Sequence, residues 1–366
     1  MKATQQLHTL GQSLWLDNIS RGLLTDGGLQ RYITEFSVTG LTSNPTIFDK
    51  AIKSSDFYDA AIRKKTAAGK SGEQLFFELA LEDLTQAADL FRPAHEATSG
   101  VDGWVSLEVS PLLADDTDGT IKAALQLHAR AQRPNLFIKI PGTAAGIPAI
   151  EEAIFKGVPI NITLLFSREQ YLKAADAYLR GIERRIMAGL DPKVASVASI
   201  FVSRWDVAVA NKVPKEFHNC LGIAVAKHAY QAYCERHASA RWRKLSAASA
   251  LKQRLLWAST GTKGPDTSDT LYIETLAAPD TINTMPEKTL QAFANHGVLK
   301  GVLPVDGGDA ETALAKFTRI GVDLQALANQ LQLEGTQSFV KSWQDLIQSI
   351  ATKSTALKAQ AKIGTA

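Results

Sequence analysis

Residues 136–167 read LFIKIPGTAAGIPAIEEAIFKGVPINITLLFS, a segment with two short apolar runs on either side of a helical pattern. The runs LFIKIP at 136–141 and VPINITLLF at 158–166 have the length and composition of buried strands. Gly157 is a typical residue for ending the helix between them. Because two strands connected through a helix pair in parallel, the segment predicts a βαβ unit.

The same alternation of strand and helix patterns runs through most of the 366 residues. Ser167 with Gln170, and Thr284 with Glu287, have the capping-box spacing that opens a helix after a strand. Six further strands are predicted at residues 13–18, 40–45, 103–109, 197–203, 254–260 and 280–285. Eight strands alternating with helices predict an α/β fold, the (β/α)8 TIM barrel.

The predicted barrel is a single domain over residues 1–366. Residues 46–102 have room for two or three helices between the second and third strands. From residue 309 onward the pattern is helical and contains no further strand. We therefore expect residues 309–366 to form a helical cover over the barrel.

Composition excludes several classes of function. The net charge is +3, with 40 basic and 37 acidic residues interspersed, which argues against a nucleic-acid-binding surface. Cys220 and Cys234 lack metal-ligand spacing, and no cluster of His, Asp and Glu suggests a metal. No apolar run has the length of a signal peptide or a membrane span, so we expect a cytoplasmic protein without membrane contacts.

Polar residues interrupt strands that a barrel buries on both faces. Alternation places Lys139 on one face of its strand with Phe137, and Ile138 and Ile140 on the other face, toward the helices. Further inward polar residues are expected in five other strands: Asp17, Thr42, Asn44, Ser106, Glu108, Asn161, Thr163 and Ser199. Any one of them could be an edge-strand residue, a residue hydrogen-bonded within the sheet or a surface residue. Their agreement across six strands nevertheless predicts a site at the C-terminal end of the barrel.

These residue types suit carbonyl chemistry. A buried amine such as that of Lys139 can attack a carbonyl carbon and form an iminium ion, which accepts electrons. Asp17 is the candidate base for the hydroxyl proton that leaves when the adjacent carbon–carbon bond breaks. Glu108 and the hydroxyl of Thr163 could move protons through water while the imine forms and hydrolyses.

A second group of residues suits the binding of a sugar phosphate. Asn44 and Asn161 can hold substrate hydroxyls. Ser199, Arg204 just beyond the sixth strand, and Lys263 in the loop after the seventh could bind a phosphate group. The alternative for Lys263 is an ordinary solvated loop lysine.

Several stretches resemble those of transaldolases: SLWLDNISRG, GLTSNPTIFDKAI, KIPGTAAGIPAI with the following NITLLFS, VASIFVSRWD and WASTGTKGPD. The resemblance is to the longer branch, seen in actinobacteria, cyanobacteria and plants, and implies a class I aldolase barrel with an extra N-terminal helix. It implies transfer of dihydroxyacetone from sedoheptulose 7-phosphate to glyceraldehyde 3-phosphate in the pentose phosphate pathway, without a cofactor. Some relatives are fused to a phosphoglucose isomerase domain. That second activity is not expected in this chain.

By this resemblance Lys139 is the Schiff-base lysine, with Asp17, Glu108 and Thr163 in the acid–base roles given above. The sugar and phosphate contacts of the family fall on Thr42, Asn44, Asn161, Ser199, Phe201 and Arg204. Shorter transaldolases carry an arginine where this chain has Lys263, and lysine cannot bind phosphate in bidentate fashion. A monomer or a homodimer is expected.

Two other functions fit part of the pattern. A Schiff-base lyase similar to fructose-6-phosphate aldolase would use the same lysine and release the three-carbon unit. A non-catalytic sugar-phosphate-binding protein could keep the fold, because fold alone does not fix function. Retention of Asp17, Glu108, Lys139 and Thr163 together argues against the second, since buried charges are costly without a use.

Overall fold

Eight strands form a closed barrel in which each strand pairs in parallel with the next and the first pairs with the last. The computed structural model describes residues 1–264 and 267–363, with side chains described to residue 360. The strands are β1 (Ser13–Leu16), β2 (Val38–Leu41), β3 (Val105–Glu108), β4 (Leu136–Pro141), β5 (Ile160–Leu165), β6 (Ser196–Phe201), β7 (Arg254–Ala258) and β8 (Ile282–Met285). The predicted TIM barrel is confirmed.

Helices connect the strands and extend both ends of the described chain. They are α1 (Ala3–Thr9), α2 (Arg21–Thr25), α3 (Gly28–Phe36), α4 (Pro45–Ser54), α5 (Asp59–Ala67), α6 (Gly72–Ala97), α7 (Thr117–Ala131), α8 (Gly146–Phe155), α9 (Arg168–Met187), α10 (Ser203–Val209), α11 (Leu221–Ala238), α12 (Ala240–Ala247), α13 (Leu271–Thr275), α14 (Glu287–His296), α15 (Ala310–Arg319) and α16 (Leu324–Ile363). Short 3₁₀ helices span Pro111–Leu113 and Lys215–Phe217.

The two faces of β4 pack as the alternation predicts. Ile138 and Ile140 of β4 belong to the apolar core between the barrel and its helices. Phe137 belongs to a second cluster inside the barrel, where it stacks on Trp104 at a centroid distance of 4.0 Å. Lys139 shares the face of Phe137 and therefore points into the barrel. Trp104 and Phe137 thus form an apolar layer inside the barrel, on the side of Lys139 that is toward the N-terminal ends of the strands.

Two sequence predictions were wrong about where elements begin and end. The predicted strand at 40–45 instead ends at Leu41, because Pro45 starts α4 and Asn44 caps it by accepting a hydrogen bond from the Ile47 amide at 3.1 Å. Thr284 and Glu287 do not form a capping box. Thr284 lies in β8, and its hydroxyl bonds that of Thr42.

The helical tail lies across the C-terminal ends of the strands. The long helix α16 packs against α4, α5 and α6. The Gln332 side chain donates to the carbonyl oxygens of Gly142 and Leu164, at 3.0 and 2.9 Å, and so fixes α16 to the loop after β4 and to β5. None of the helices in the described ranges is long and apolar enough to cross a membrane.

Candidate active site

A pocket of about 360 Å³ opens at the C-terminal end of the barrel. Nine of the eleven site residues predicted from the sequence line it: Asp17, Thr42, Asn44, Lys139, Thr163, Ser199, Phe201, Arg204 and Lys263. The other two, Glu108 and Asn161, are buried directly behind this wall. A larger surface groove of about 480 Å³ runs between α4 and α16, is lined by none of these residues, and has its Lys53 and Lys353 paired with nearby aspartates.

Lys139 is the buried cation of the pocket, with 6% of its surface exposed. Its Nζ lies 3.4 Å from Glu108 Oε2 and 3.3 Å from the carbonyl oxygen of Ser43. Glu108 and Lys139 are register partners on β3 and β4, so the strand pairing itself brings them together. Burial raises the pKa of the Glu108 carboxyl, and the attraction of Lys139 opposes that rise.

Asp17 follows directly after β1 and is held by a chain of hydroxyl groups. Thr42 Oγ1 donates to Asp17 Oδ1 at 2.8 Å, and it lies 2.7 Å from Thr284 Oγ1. Because the Thr42 proton is used on Asp17, Thr284 is the donor in the second bond. Burial raises the pKa of Asp17, while the charges of Lys139 and Lys263 and the Thr42 bond lower it.

Asn161 is not exposed to the pocket. It is a register partner of Lys139, but its amide donates to Ser106 Oγ at 3.0 Å and accepts from Ser199 Oγ at 2.8 Å. All three side chains are buried. In this arrangement Asn161 fixes the orientation of Ser199, which does line the pocket.

Thr163 presents a buried hydroxyl that has no hydrogen-bond partner among the described residues. The next residue, Leu164, has φ of +59°, and the pairing of β5 with β6 is irregular at this point. A left-handed conformation is unusual for a residue that is not glycine. The bulge ends the regular alternation and leaves the Thr163 hydroxyl available to water or substrate.

Two cationic side chains of the pocket, those of Arg204 and Lys263, follow β6 and β7. Arg204 is in the first turn of α10, half-buried, with its guanidinium 5.8 Å from the centroid of the Phe201 ring. Burial lowers the pKa of the Arg204 guanidinium, and the negative charge of Glu334 opposes this shift. Lys263 is exposed at the rim. The two cations give this side of the pocket a preference for anions.

Several pocket residues were missed by sequence reasoning. Thr284 carries the alternation signal of its predicted strand, so it could have been found. Ser338 and Phe339 lie on α16, about 200 positions from Lys139, and Lys50 lies on α4. Their helical spacing resembles that of ordinary surface or core residues, so no local signal marks them. Among the described residues, no group of three or more His, Cys, Asp and Glu could hold a metal ion.

The fold and the pocket define a class of protein: a (β/α)8-barrel enzyme built around one buried lysine. The family model described as Transaldolase/Fructose-6-phosphate aldolase matches residues 14–350, and the chain belongs to this family. The transaldolase of Thermobifida fusca is 44% identical over 356 residues, which cover 95% of this chain and 97% of that relative. The transaldolase of Mycolicibacterium smegmatis is 43% identical over 350 residues, covering 93% and 94%.

Proposed function

We propose that the protein is a transaldolase, which moves a dihydroxyacetone unit between sugar phosphates through a Schiff base on Lys139. The observation that carries the proposal is the position of Lys139: its amine is buried beside Glu108 at 3.4 Å and faces the same pocket as Asp17. Similarity over nearly the whole chain to relatives named transaldolase supports the same activity.

The reaction begins when the Lys139 amine adds to the ketone carbon of the donor. Loss of water then forms the iminium ion. The Asp17 carboxylate takes the proton from the hydroxyl on C4, the bond between C3 and C4 breaks, and its electrons pass to the iminium nitrogen. The shortened aldose leaves, and an enamine of dihydroxyacetone stays on Lys139.

The second half of the reaction reverses these steps with another aldehyde. The enamine carbon attacks the acceptor, and Asp17 returns its proton to the new hydroxyl. Water then hydrolyses the imine and restores the Lys139 amine. Glu108, which contacts Lys139, and the hydroxyl of Thr163, which has no hydrogen-bond partner among the described residues, would move protons through that water. The iminium nitrogen accepts the electrons of the broken bond, so these steps use no cofactor.

The substrates we propose are sedoheptulose 7-phosphate and glyceraldehyde 3-phosphate, which give erythrose 4-phosphate and fructose 6-phosphate in the pentose phosphate pathway of the cytoplasm. Arg204, Lys263 and Ser199 would bind phosphate. Thr42 and Asn44 would bind the sugar hydroxyls, and Phe201 would pack against the carbon chain. Asn161 would act mainly through Ser199, because its amide is already bonded.

The second candidate is a fructose-6-phosphate aldolase, because the matching family includes both activities and both use one lysine. The first experiment is to mix the protein with fructose 6-phosphate, reduce with borohydride, and measure intact and peptide masses. A dihydroxyacetone adduct on Lys139 supports the mechanism, and no adduct on folded protein contradicts it. Formation of sedoheptulose 7-phosphate on adding erythrose 4-phosphate then separates transfer from release of free dihydroxyacetone.

A further inference from the structure

Phe339 brings an aromatic ring from the C-terminal helix to the reactive lysine. The ring centroid lies 5.6 Å from Lys139 Nζ, and the side chain is 9% exposed. This distance is within the range in which the face of an aromatic ring attracts a cation. None of the steps proposed above uses Phe339, although it is part of the pocket wall.

The position of Phe339 is fixed by one face of α16. Gln332, Gly335, Phe339 and Trp343 follow one another at helical spacings of three or four residues. Gln332 bonds two backbone carbonyl oxygens of the barrel, and Trp343 Nε1 donates to Glu73 Oε1 at 2.9 Å. A Cβ atom added at Gly335 would lie 2.9 Å from Cδ2 of Leu164, so the glycine permits a close approach.

Phe339 also forms part of the boundary between two spaces. It lines the pocket that holds Lys139, and it lines a separate cavity of about 10 Å³ together with Glu108, Pro141, Leu164 and others. A cavity of this size accommodates about one water molecule. The ring therefore lies between the pocket and a space beside Glu108 that holds about one water molecule.

We propose that Phe339 is a specificity-determining residue that keeps water from protonating the enamine carbon of the Lys139 adduct, so that the three-carbon unit is transferred instead of released. The inference rests on the lysine mechanism proposed above. Release requires that the enamine carbon take a proton and that the oxygen of water add to the resulting iminium carbon. The bond from that carbon to nitrogen then breaks, free dihydroxyacetone leaves, and the amine is restored. Transfer also ends in hydrolysis of an imine, so only the proton taken by the enamine carbon separates the two outcomes. The apolar ring beside Lys139 offers no hydrogen bond to a water molecule that would donate this proton.

The test compares two rates in the same enzyme. With fructose 6-phosphate alone, the release of free dihydroxyacetone is measured; with erythrose 4-phosphate added, the formation of sedoheptulose 7-phosphate is measured. In Phe339→Ala we expect the ratio of release to transfer to rise roughly tenfold or more, as a modest lowering of the barrier to protonation of the enamine produces. Leu333→Ala, which changes an exposed side chain of the same helix, should keep the wild-type ratio.

Phe339→Gln is the second variant, because it keeps much of the side-chain volume while offering water a hydrogen bond, and it should also raise the ratio. An unchanged ratio in a folded variant, or release and transfer that fall together, overturns the assignment of Phe339. Borohydride trapping separates this result from a failure of the mechanism. A wild-type protein that gives no adduct on Lys139 overturns both proposals, whereas a normal adduct with an unchanged ratio overturns only the role of Phe339.

Discussion

The Glu108 carboxylate and the Lys139 amine face each other at 3.4 Å across two neighbouring strands, with both side chains almost completely buried. Their separation is longer than the 2.7–2.9 Å or so of a strong charge-assisted hydrogen bond. Burying two such ions costs several kcal/mol per ion, and an apolar pair of similar size would often be as stable. The pair is thus better explained by chemistry at Lys139 than by stability.

Replacing Lys139 tests that chemistry directly. Lys139→Ala should abolish both sugar transfer and borohydride trapping, because no other amine occupies its place beside Glu108. Lys173→Ala, which removes an exposed lysine of α9, should change neither. Peptide masses after reduction, together with a circular dichroism check of folding, measure the result. Wild-type levels of adduct in folded Lys139→Ala protein would contradict the assignment.

The role of Asp17 separates imine formation from cleavage. Asp17→Asn should still form the adduct with the intact donor, but it should cleave that adduct roughly 10²- to 10⁴-fold more slowly, the usual contribution of a positioned base. Rapid quenching with borohydride would show the uncleaved six-carbon adduct accumulating. The matched control is Asp56→Asn, on the surface between α4 and α5. Normal turnover in Asp17→Asn would show that another group removes the proton.

The rate of cleavage should depend on pH through the same carboxyl group. Burial raises the pKa of Asp17, and only its ionised form can accept the proton of the hydroxyl on C4. The single-turnover cleavage rate should therefore fall as the pH is lowered through a value above the ordinary carboxyl range. In Asp17→Asn this fall in rate at low pH should be absent, and only a slow cleavage rate should remain. A wild-type rate that stays constant down to pH 4 is the contrary result.

The contribution of Asp17 to the stability of the folded protein should show the opposite dependence on pH. Because the pKa of Asp17 is higher in the folded protein than in the unfolded chain, the folded state binds an extra proton between the two pKa values. The Asp17 contribution to stability is thus lost as the pH rises through that window. The Tm of Asp17→Asn should exceed that of the wild type increasingly from pH 4 to pH 7, while Asp56→Asn shows no such trend. Scanning calorimetry across this range makes the comparison.

Arg204 should determine how well the phosphate end of the substrate binds. Arg204→Gln should raise the KM for phosphorylated substrates roughly 10- to 100-fold, the loss expected for a hydrogen bond to a charged group. Lys263→Gln should have a smaller effect, because Lys263 is exposed to solvent. Steady-state kinetics with fructose 6-phosphate and with unphosphorylated fructose distinguish phosphate binding from general damage. An equal change for both donors would exclude a phosphate contact by Arg204.

The fold was predictable because its signals are local. All eight strands occur close to the predicted positions, since apolar runs bounded by Gly, Pro and Asn fix them within a few residues. Their ends were less predictable. Asn44 and Pro45 continue the pattern of β2 in the sequence, but in the structure the Asn44 side chain and the Pro45 ring begin α4. Whether such a residue ends a strand or caps a helix depends on its neighbours in space.

The sequence by itself determined the barrel and its buried lysine, because side-chain alternation along each strand assigns residues to the inside or the outside. It also indicated Asp17, Glu108 and Thr163, since each departs from an apolar pattern. Only the tertiary structure decided which atoms meet. It directs the Asn161 amide to Ser106 and Ser199, links Asp17 to Thr284 through Thr42, and places Phe339 against Lys139. These contacts join residues far apart in the chain, and strand register and helix docking set them, not local sequence.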